Sequence, residues 1–268
     1  MKISHEVPIC LLEQSKQFND YDYILPHLLD KFPAYESYMR QAKAEGRYLI
    51  CDNSLHELGV PYSEDRLLYW INELTPNEFI VPDLWEDTKG TWDLATYWYN
   101  KISELCETNS NFENIDLVAV IQSKSYEDTK WLYKALKGWG YEKIAFSYGA
   151  EYYSEVFPHP NKLMSRALGR LQVISQLIKD GIIGKNDRLH LLGCNLPQEF
   201  SWYKGINIES IDTSNPIMAG IESISYRSYG LREKPKTKID DVIDKNFNNI
   251  TRDIISENIF KFKQINGF

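Results

Sequence analysis

The sequence has no uninterrupted apolar run of about 18 residues, so no membrane-spanning helix is expected. Its opening, MKISHEVPICLLEQ, lacks a long apolar stretch and a small-residue cleavage site, which predicts no secretory leader. The cysteines Cys10, Cys51, Cys106 and Cys194 form no CxxC pair, which argues against a zinc cluster of the usual spacing. Cys10, Cys51 and Cys194 lie in or beside apolar runs and read as small thiols of a reducing cytoplasm. No GxGxxG follows the first apolar run and no GxxxxGK[ST] occurs, so neither a dinucleotide nor a P-loop nucleotide is signalled. His5, His27, His56, His159 and His190 do not cluster in sequence, and no metal or cofactor is predicted. Basic residues are the minority, with a formal net charge of −8. A nonspecific DNA binder is usually basic, so a nucleic-acid substrate here requires a local phosphate-binding surface. There are no internal repeats and no low-complexity segments.

What is present is length and alternation. The chain has 268 residues, of which 43% are hydrophobic, enough for one large domain or two small ones. Single α/β barrels commonly run to about 250 residues, so length alone forces no split. The predicted strands are VPICLLE (7–13), RYLICDN (47–53), EFIVPD (78–83), IDLVAVIQ (115–122), KIAFSYG (143–149), LHLLG (189–193) and IESID (208–212). Nearly all are continuous apolar runs, as in strands covered on both faces of a parallel sheet. Between them lie helical patterns. One starts after Ser63, one after Ser125 and stops near Gly138 or Gly140. In the clearest, Leu163, Ala167, Leu171, Ile174 and Ile178 form the stripe, Arg166 and Arg170 fall off it, and Gly181 ends it.

Strand and helix in repeated alternation predict βαβ units. The expected fold is α/β, a TIM-like (β/α)8 barrel over residues 1–230, with SISYRSYG (223–230) as a possible eighth strand; an open doubly wound sheet is the competing architecture. Residues 231–268 read as a basic and helical C-terminal extension packed on the barrel. The run YRSYGLREKPKTKIDD holds Arg227, Arg232, Lys234, Lys236 and Lys238, which is either a solvated loop or a phosphate-contacting strip on an acidic protein.

In a parallel barrel the active site lies at the C-terminal ends of the strands. Those ends carry Glu13, Asp52 with Asn53, Asp83, Gln122, Ser147 to Gly149, Gly193 and Asp212. One strand-end aspartate is often the cap of the next helix. Three of them with a glutamine suggest a site. Two carboxylates facing one substrate permit a double displacement at an anomeric carbon. A glutamine and a third carboxylate suit the donor–acceptor edge of a purine. His56 lies nearest this set and would orient Asp52 or meet a phosphate, or is an ordinary turn histidine; His190 reads as a core residue.

Three stretches resemble the tRNA-guanine transglycosylase superfamily, in the family's order and over roughly residues 47 to 216. LICDNSLHELG resembles its Asp-Ser-Gly-Gly-Phe-Gln segment. VIQSKSYEDTKWLYKALKGWGYEKIAFSYGAE resembles the stretch from its base-reading glutamine to a glycine-rich loop. LHLLGCNLPQEFSWYKGINIESIDTSNP resembles the stretch that ends in its nucleophile. The resemblance implies a TIM barrel that exchanges guanine for a 7-deazaguanine. It makes Asp212 the nucleophile at C1′ and Asp52 the general acid/base at the leaving guanine. Asp83 and Gln122 would read the base, and Tyr148 and Gly149 would lie where the loop binds its carbonyl; Asn53, His56 and Gly193, at or near the same strand ends, are expected to line the substrate. The chain departs from the family pattern in having Ser54-Leu55 for its Gly-Gly, a shortened glycine loop, no arginine after the nucleophile and no clustered zinc ligands. A short, zinc-free chain is most similar to the phage and bacterial branch that modifies DNA. The expected partners are therefore DNA or tRNA and a 7-deazaguanine base. Hydrolysis of an N-glycosidic bond and non-catalytic binding of a nucleobase or nucleic acid remain as alternatives. Close like charges raise each other's pKa, which makes paired carboxylates costly for binding alone.

Overall fold

There are eight short strands among the described residues: β1 (Lys2–Ser4), β2 (Asp22–Ile24), β3 (Leu49–Cys51), β4 (Glu78–Ile80), β5 (Asp116–Ile121), β6 (Lys143–Ser147), β7 (Arg188–Leu192) and β8 (Ile208–Asp212), the last six overlapping predicted apolar runs. A computed structural model of the chain describes residues 1–229, 235 and 237–268. The strands follow the order β1-β8-β7-β6-β5-β4-β3-β2 in one sheet, and the fold is α/β, of the TIM-like (β/α)8 barrel class. Every residue of β2, β3, β4 and β6 is buried, and β3, β4 and β6 lie within the predicted apolar runs.

Three expectations are corrected. Residues 7–13 form no strand: Pro8 opens a 3-10 turn, Ile9–Leu11, followed by a helical turn, Leu12–Ser15. A short apolar run does not distinguish strand from helix, and the proline resolves it here by fixing φ at a turn start. Glu13 is therefore not at a strand end; it is solvent-exposed and pairs with Lys16 at 2.9 Å. The segment 223–230 supplies no eighth strand, since Tyr226–Tyr229 is a helical turn and Gly230 lies outside the described residues. The strands in their place are β1 and β2, three residues each and too short to show a period.

The chain divides into two compact units. One comprises Tyr21–Ser147 and Asp187–His190. In it β2 to β6 pair in parallel, each with the next. At the N-terminal ends of these strands, Lys143 Nζ donates to both oxygens of Glu78 at 2.8 and 2.7 Å, and Arg188 reaches Glu78 at 3.1 Å and Asp116 at 2.7 Å. The pairing satisfies charges that burial would otherwise penalise. The Tyr126–Trp139 helix is capped by Ser125, whose hydroxyl accepts the Asp128 N–H at 3.1 Å. Ser63 precedes the Glu64–Leu74 helix without a side-chain cap, and Glu64 and Asp65 sit in its first turn, where carboxylates favour the helix dipole. His190 lies in β7 and is buried, its ring 6.4 Å from that of Tyr23 and parallel to it.

The other unit comprises Met1–Asp20, Tyr148–Asn186 and Leu191–Phe268. Here β1 pairs with β8, and Ser4 lies opposite Asp212. The Lys162–Lys179 helix buries a face shifted from the predicted stripe, with which it shares Ala167 and Ile174. Ala167, Arg170, Val173, Ile174 and Leu177 are buried, while Ile178 is 38% exposed. Arg170 is thus on the buried face, because Glu199 waits there for its guanidinium. The Asn249–Asn266 helix packs on the Asn215–Ile221 helix. Asn258 lies in that seam and gives its side-chain amide to Pro216 O and Ile224 O.

Candidate functional site

β3 ends at Cys51, and the next three residues form a buried corner. Asp52 Oδ2 accepts the Ser54 N–H at 3.0 Å, and Asn53 Oδ1 accepts the Leu55 N–H at 2.9 Å. Two successive turns of this kind satisfy the backbone while reversing the chain. Ser54 is held at φ +60, the left-handed region that side chains seldom occupy, and its hydroxyl lies 2.7 Å from His27 Nδ1. Strain of this sort persists only where the surroundings over-determine it, and it concentrates at functional sites.

Asp83 is the hub of the same unit. It follows β4, as Gln122 follows β5. Asn53 Nδ2 donates to Asp83 Oδ1 at 2.7 Å and to Val81 O at 3.0 Å. Gln122 Nε2 donates to Asp83 Oδ2 at 2.7 Å, and Gln122 Oε1 accepts the Glu86 N–H at 3.1 Å. Each carboxylate oxygen thus has an amide donor, and each amide is oriented by a backbone contact of its own. Burial pushes the Asp83 carboxyl up to about 7, the nearby charge of Asp52 adds to the rise, and the Gln122 and Asn53 donors pull it part of the way back. The group therefore changes charge near neutral pH. With its remaining lone pairs it can take the N–H edge of a heterocycle when ionised and offer a proton when neutral.

A raised carboxyl pKa has a defined consequence for stability. The folded protein holds this proton to about pH 7, whereas the unfolded chain releases it near 3.8. The contribution is fully present below the unfolded value and is lost as pH rises to about 7. The loss is of the order of 4 kcal/mol, from about 1.4 kcal/mol per pH unit. Asp83→Asn is expected to flatten that slope, so that parent and variant converge below pH 4 relative to their difference at pH 8. Urea unfolding across this range checks it, and an unchanged slope in the variant would assign the titration elsewhere.

The second unit holds the remaining strand ends. Asp212 is the last residue of β8 and is buried. Thr213 follows, its N–H on Ser4 O at 3.0 Å and its hydroxyl 3.3 Å from Cys194 Sγ. Gly193, just past β7, has φ +60, and a Cβ there would lie 2.6 Å from the Tyr148 ring, so both its backbone conformation and its neighbour require glycine. Asn195 Nδ2 donates to Tyr148 O at 3.0 Å, and the Asn195 N–H donates to Glu199 Oε2 at 2.8 Å. Arg170 closes the bracket. It donates to Glu199 Oε1 at 3.0 and 2.6 Å, to Leu192 O at 3.1 Å and to Gly193 O at 2.9 Å. Tyr148 and Gly193 are thereby fixed against each other, with Gly149 buried in the next position.

The predicted residues thus fall into two sets. Asp52, Asn53, Asp83 and Gln122 belong to one unit, and Tyr148, Gly149, Gly193 and Asp212 to the other. His56 lies exposed on the Leu55–Leu58 turn, its ring 6.3 Å from that of Trp85. In the basic segment, Arg227 is exposed and pairs with Glu257 at 3.3 Å, and Lys238 is exposed at the start of the Ile239–Asp241 turn. Arg232, Lys234 and Lys236 lie outside the described residues. Sequence reasoning missed Arg170, Asn195 and Glu199. The one signal, for Asn195 and Glu199, is the segment NLPQE at 195–199, which places three polar residues shortly after β7. Among the described residues no group of three or more His, Cys, Asp or Glu is placed to hold a metal ion. No helix among them is long and apolar enough to cross a membrane. No family model and no curated protein matches the chain.

Proposed function

We propose that the chain is a base-exchange transglycosylase that replaces guanine in nucleic acid, DNA ahead of tRNA, with a 7-deazaguanine. In this reading Asp212 attacks C1′ of the nucleotide and the N-glycosidic bond breaks with its electron pair on the departing guanine. Asp52 supplies the proton that guanine takes up. The product is an aspartyl ester of the sugar. The incoming base gives its N–H proton to Asp52 and its nitrogen displaces the Asp212 carboxylate, so the enzyme returns to its first state. Asp83, Asn53 and Gln122 read the hydrogen-bonding edge of the base, and Tyr148 and Gly149 meet its carbonyl. Arg227 and Lys238 contribute to phosphate contact.

The observation that carries the reading is the Asn53–Asp83–Gln122 set. A buried carboxyl with a pKa of about 7, held on both oxygens by oriented amides, matches a purine edge better than it serves packing. The test follows labelled guanine in a DNA duplex and in a tRNA. Release that requires added 7-deazaguanine supports exchange. Release into water without added base makes the protein an N-glycosidic hydrolase. Binding without release makes it a non-catalytic nucleobase-binding barrel.

A further inference from the structure

Buried polar groups are nearly always hydrogen-bonded, and those that are not need an explanation. Three such atoms lie within three residues of Asp212 or directly across from it: Ser4 Oγ, Ser214 Oγ and Asn215 Nδ2. Their residues are 1%, 1% and 0% exposed.

Ser4 is the register partner of Asp212 in the parallel β1–β8 pair. Register partners in neighbouring strands stand side by side, about 4.8 Å apart, and project from the same face of the sheet. Ile3 and Ile211, one step earlier on the two strands, project from the opposite face and are fully buried. The Ser4 hydroxyl is therefore a neighbour of the Asp212 carboxylate. Ser214 occupies the position that normally caps a helix, yet its side chain makes no capping bond to the Asn215–Ile221 helix. Asn215 turns its Oδ1 to the Tyr226 hydroxyl and leaves its amide nitrogen without a partner.

Beside them, His5 turns its Nδ1 to Thr213 O at 3.2 Å and leaves its Nε2 without a partner as well, while the other neighbouring polar groups are paired. The Thr213 hydroxyl accepts the Asn215 N–H at 3.1 Å and meets Cys194. Asn258 uses its carbonyl oxygen on the Tyr226 N–H at 2.8 Å and its amide on two backbone carbonyls. The unpartnered atoms are thus a local feature of the end of β8. Folding gains nothing from them, because a buried hydroxyl without a partner loses its hydrogen bond to water.

Their chemistry narrows the ligand. All three are neutral, and the nearest charge is a carboxylate. A phosphate would be repelled and would find no cation among them. A pentose fits: its ring oxygen can accept from a serine hydroxyl or the amide, and in a ribose the 2′-hydroxyl can both accept and donate. We infer that Ser4, with Ser214 and Asn215, binds the pentose of the nucleotide whose C1′ faces Asp212. The inference rests on the reading of Asp212 as the nucleophile.

Two measurements on Ser4→Ala test it. In urea unfolding without ligand, the variant is expected to have a midpoint no lower than the parent. In exchange of labelled guanine from a DNA duplex or a tRNA, its kcat/KM is expected to fall about tenfold or more, chiefly through KM. A lowered midpoint would show that the hydroxyl serves the fold, and an exchange rate equal to the parent's would show that it touches no substrate; either overturns the inference alone. A parent that exchanges no base on either nucleic acid overturns the reading of Asp212 and this inference with it.

Discussion

Asp212→Asn is expected to lower base exchange by about 10⁴-fold or more while the protein stays folded. The substitution keeps the size of the side chain and its place at the end of β8. It removes the only part the mechanism uses, an anionic oxygen able to form and release an ester with the sugar carbon. An amide is a poor nucleophile, and no second carboxylate is proposed for the same step. Asp212 is buried, and a neutral amide of the same size carries less desolvation cost there than a carboxylate. The variant should therefore unfold at a urea midpoint equal to or above that of the parent. Loss of exchange together with a large loss of stability would point to a structural carboxylate.

The second large effect concerns the fold that supports the site. Arg170→Met is expected to destabilise the protein by about 3–5 kcal/mol, because it leaves the buried carboxylate of Glu199 without its cation. For a chain of this size that is a fall in Tm of the order of 10 °C. The methionine fills much of the volume, so the loss is electrostatic more than steric. Two backbone acceptors, Leu192 O and Gly193 O, lose their donors at the same time. Adding Glu199→Gln removes the stranded charge and should restore a measurable part of the loss, though Asn195 N–H then keeps a weaker acceptor. Differential scanning calorimetry of the two single variants and the double variant gives the coupling. Strictly additive losses would mean that the pair acts as two unrelated groups.

These effects show how far the sequence could be read. β8 has the bounds its apolar run suggested, 208–212, and the runs before β3 to β7 end within two or three residues of the observed strands. Those segments are buried on both faces, and burial is what an apolar run records. β1 and β2 were invisible because three residues carry no period. Their presence follows from pairing with β8 and β3, which is a property of distant sequence. Residues 7–13 were misread for the opposite reason, a strong apolar signal with no directional content.

The candidate site shows the same divide. Asp52, Asp83, Gln122 and Asp212 were legible because each is a polar residue that ends an apolar run. That Asn53 and Gln122 both grip Asp83 was not legible, since 30 and 39 residues separate the partners. Arg170 was placed on the wrong face because a charged side chain enters a core only when a partner is built there, and Glu199 lies 29 residues away. Ser4 carried no signal at all. A serine near a chain start acquires meaning only when strand register sets it opposite an aspartate.

The central claim is that Asp212 becomes covalently bonded to the sugar. The direct measurement is to mix the protein with a guanine-containing DNA duplex or tRNA, denature before a second base is added, digest, and locate the modified peptide by mass spectrometry. The account predicts a sugar ester on the peptide that contains Asp212, absent from Asp212→Asn and discharged by added 7-deazaguanine. An adduct on another residue, or exchange that proceeds at full rate with no adduct at Asp212, would contradict it.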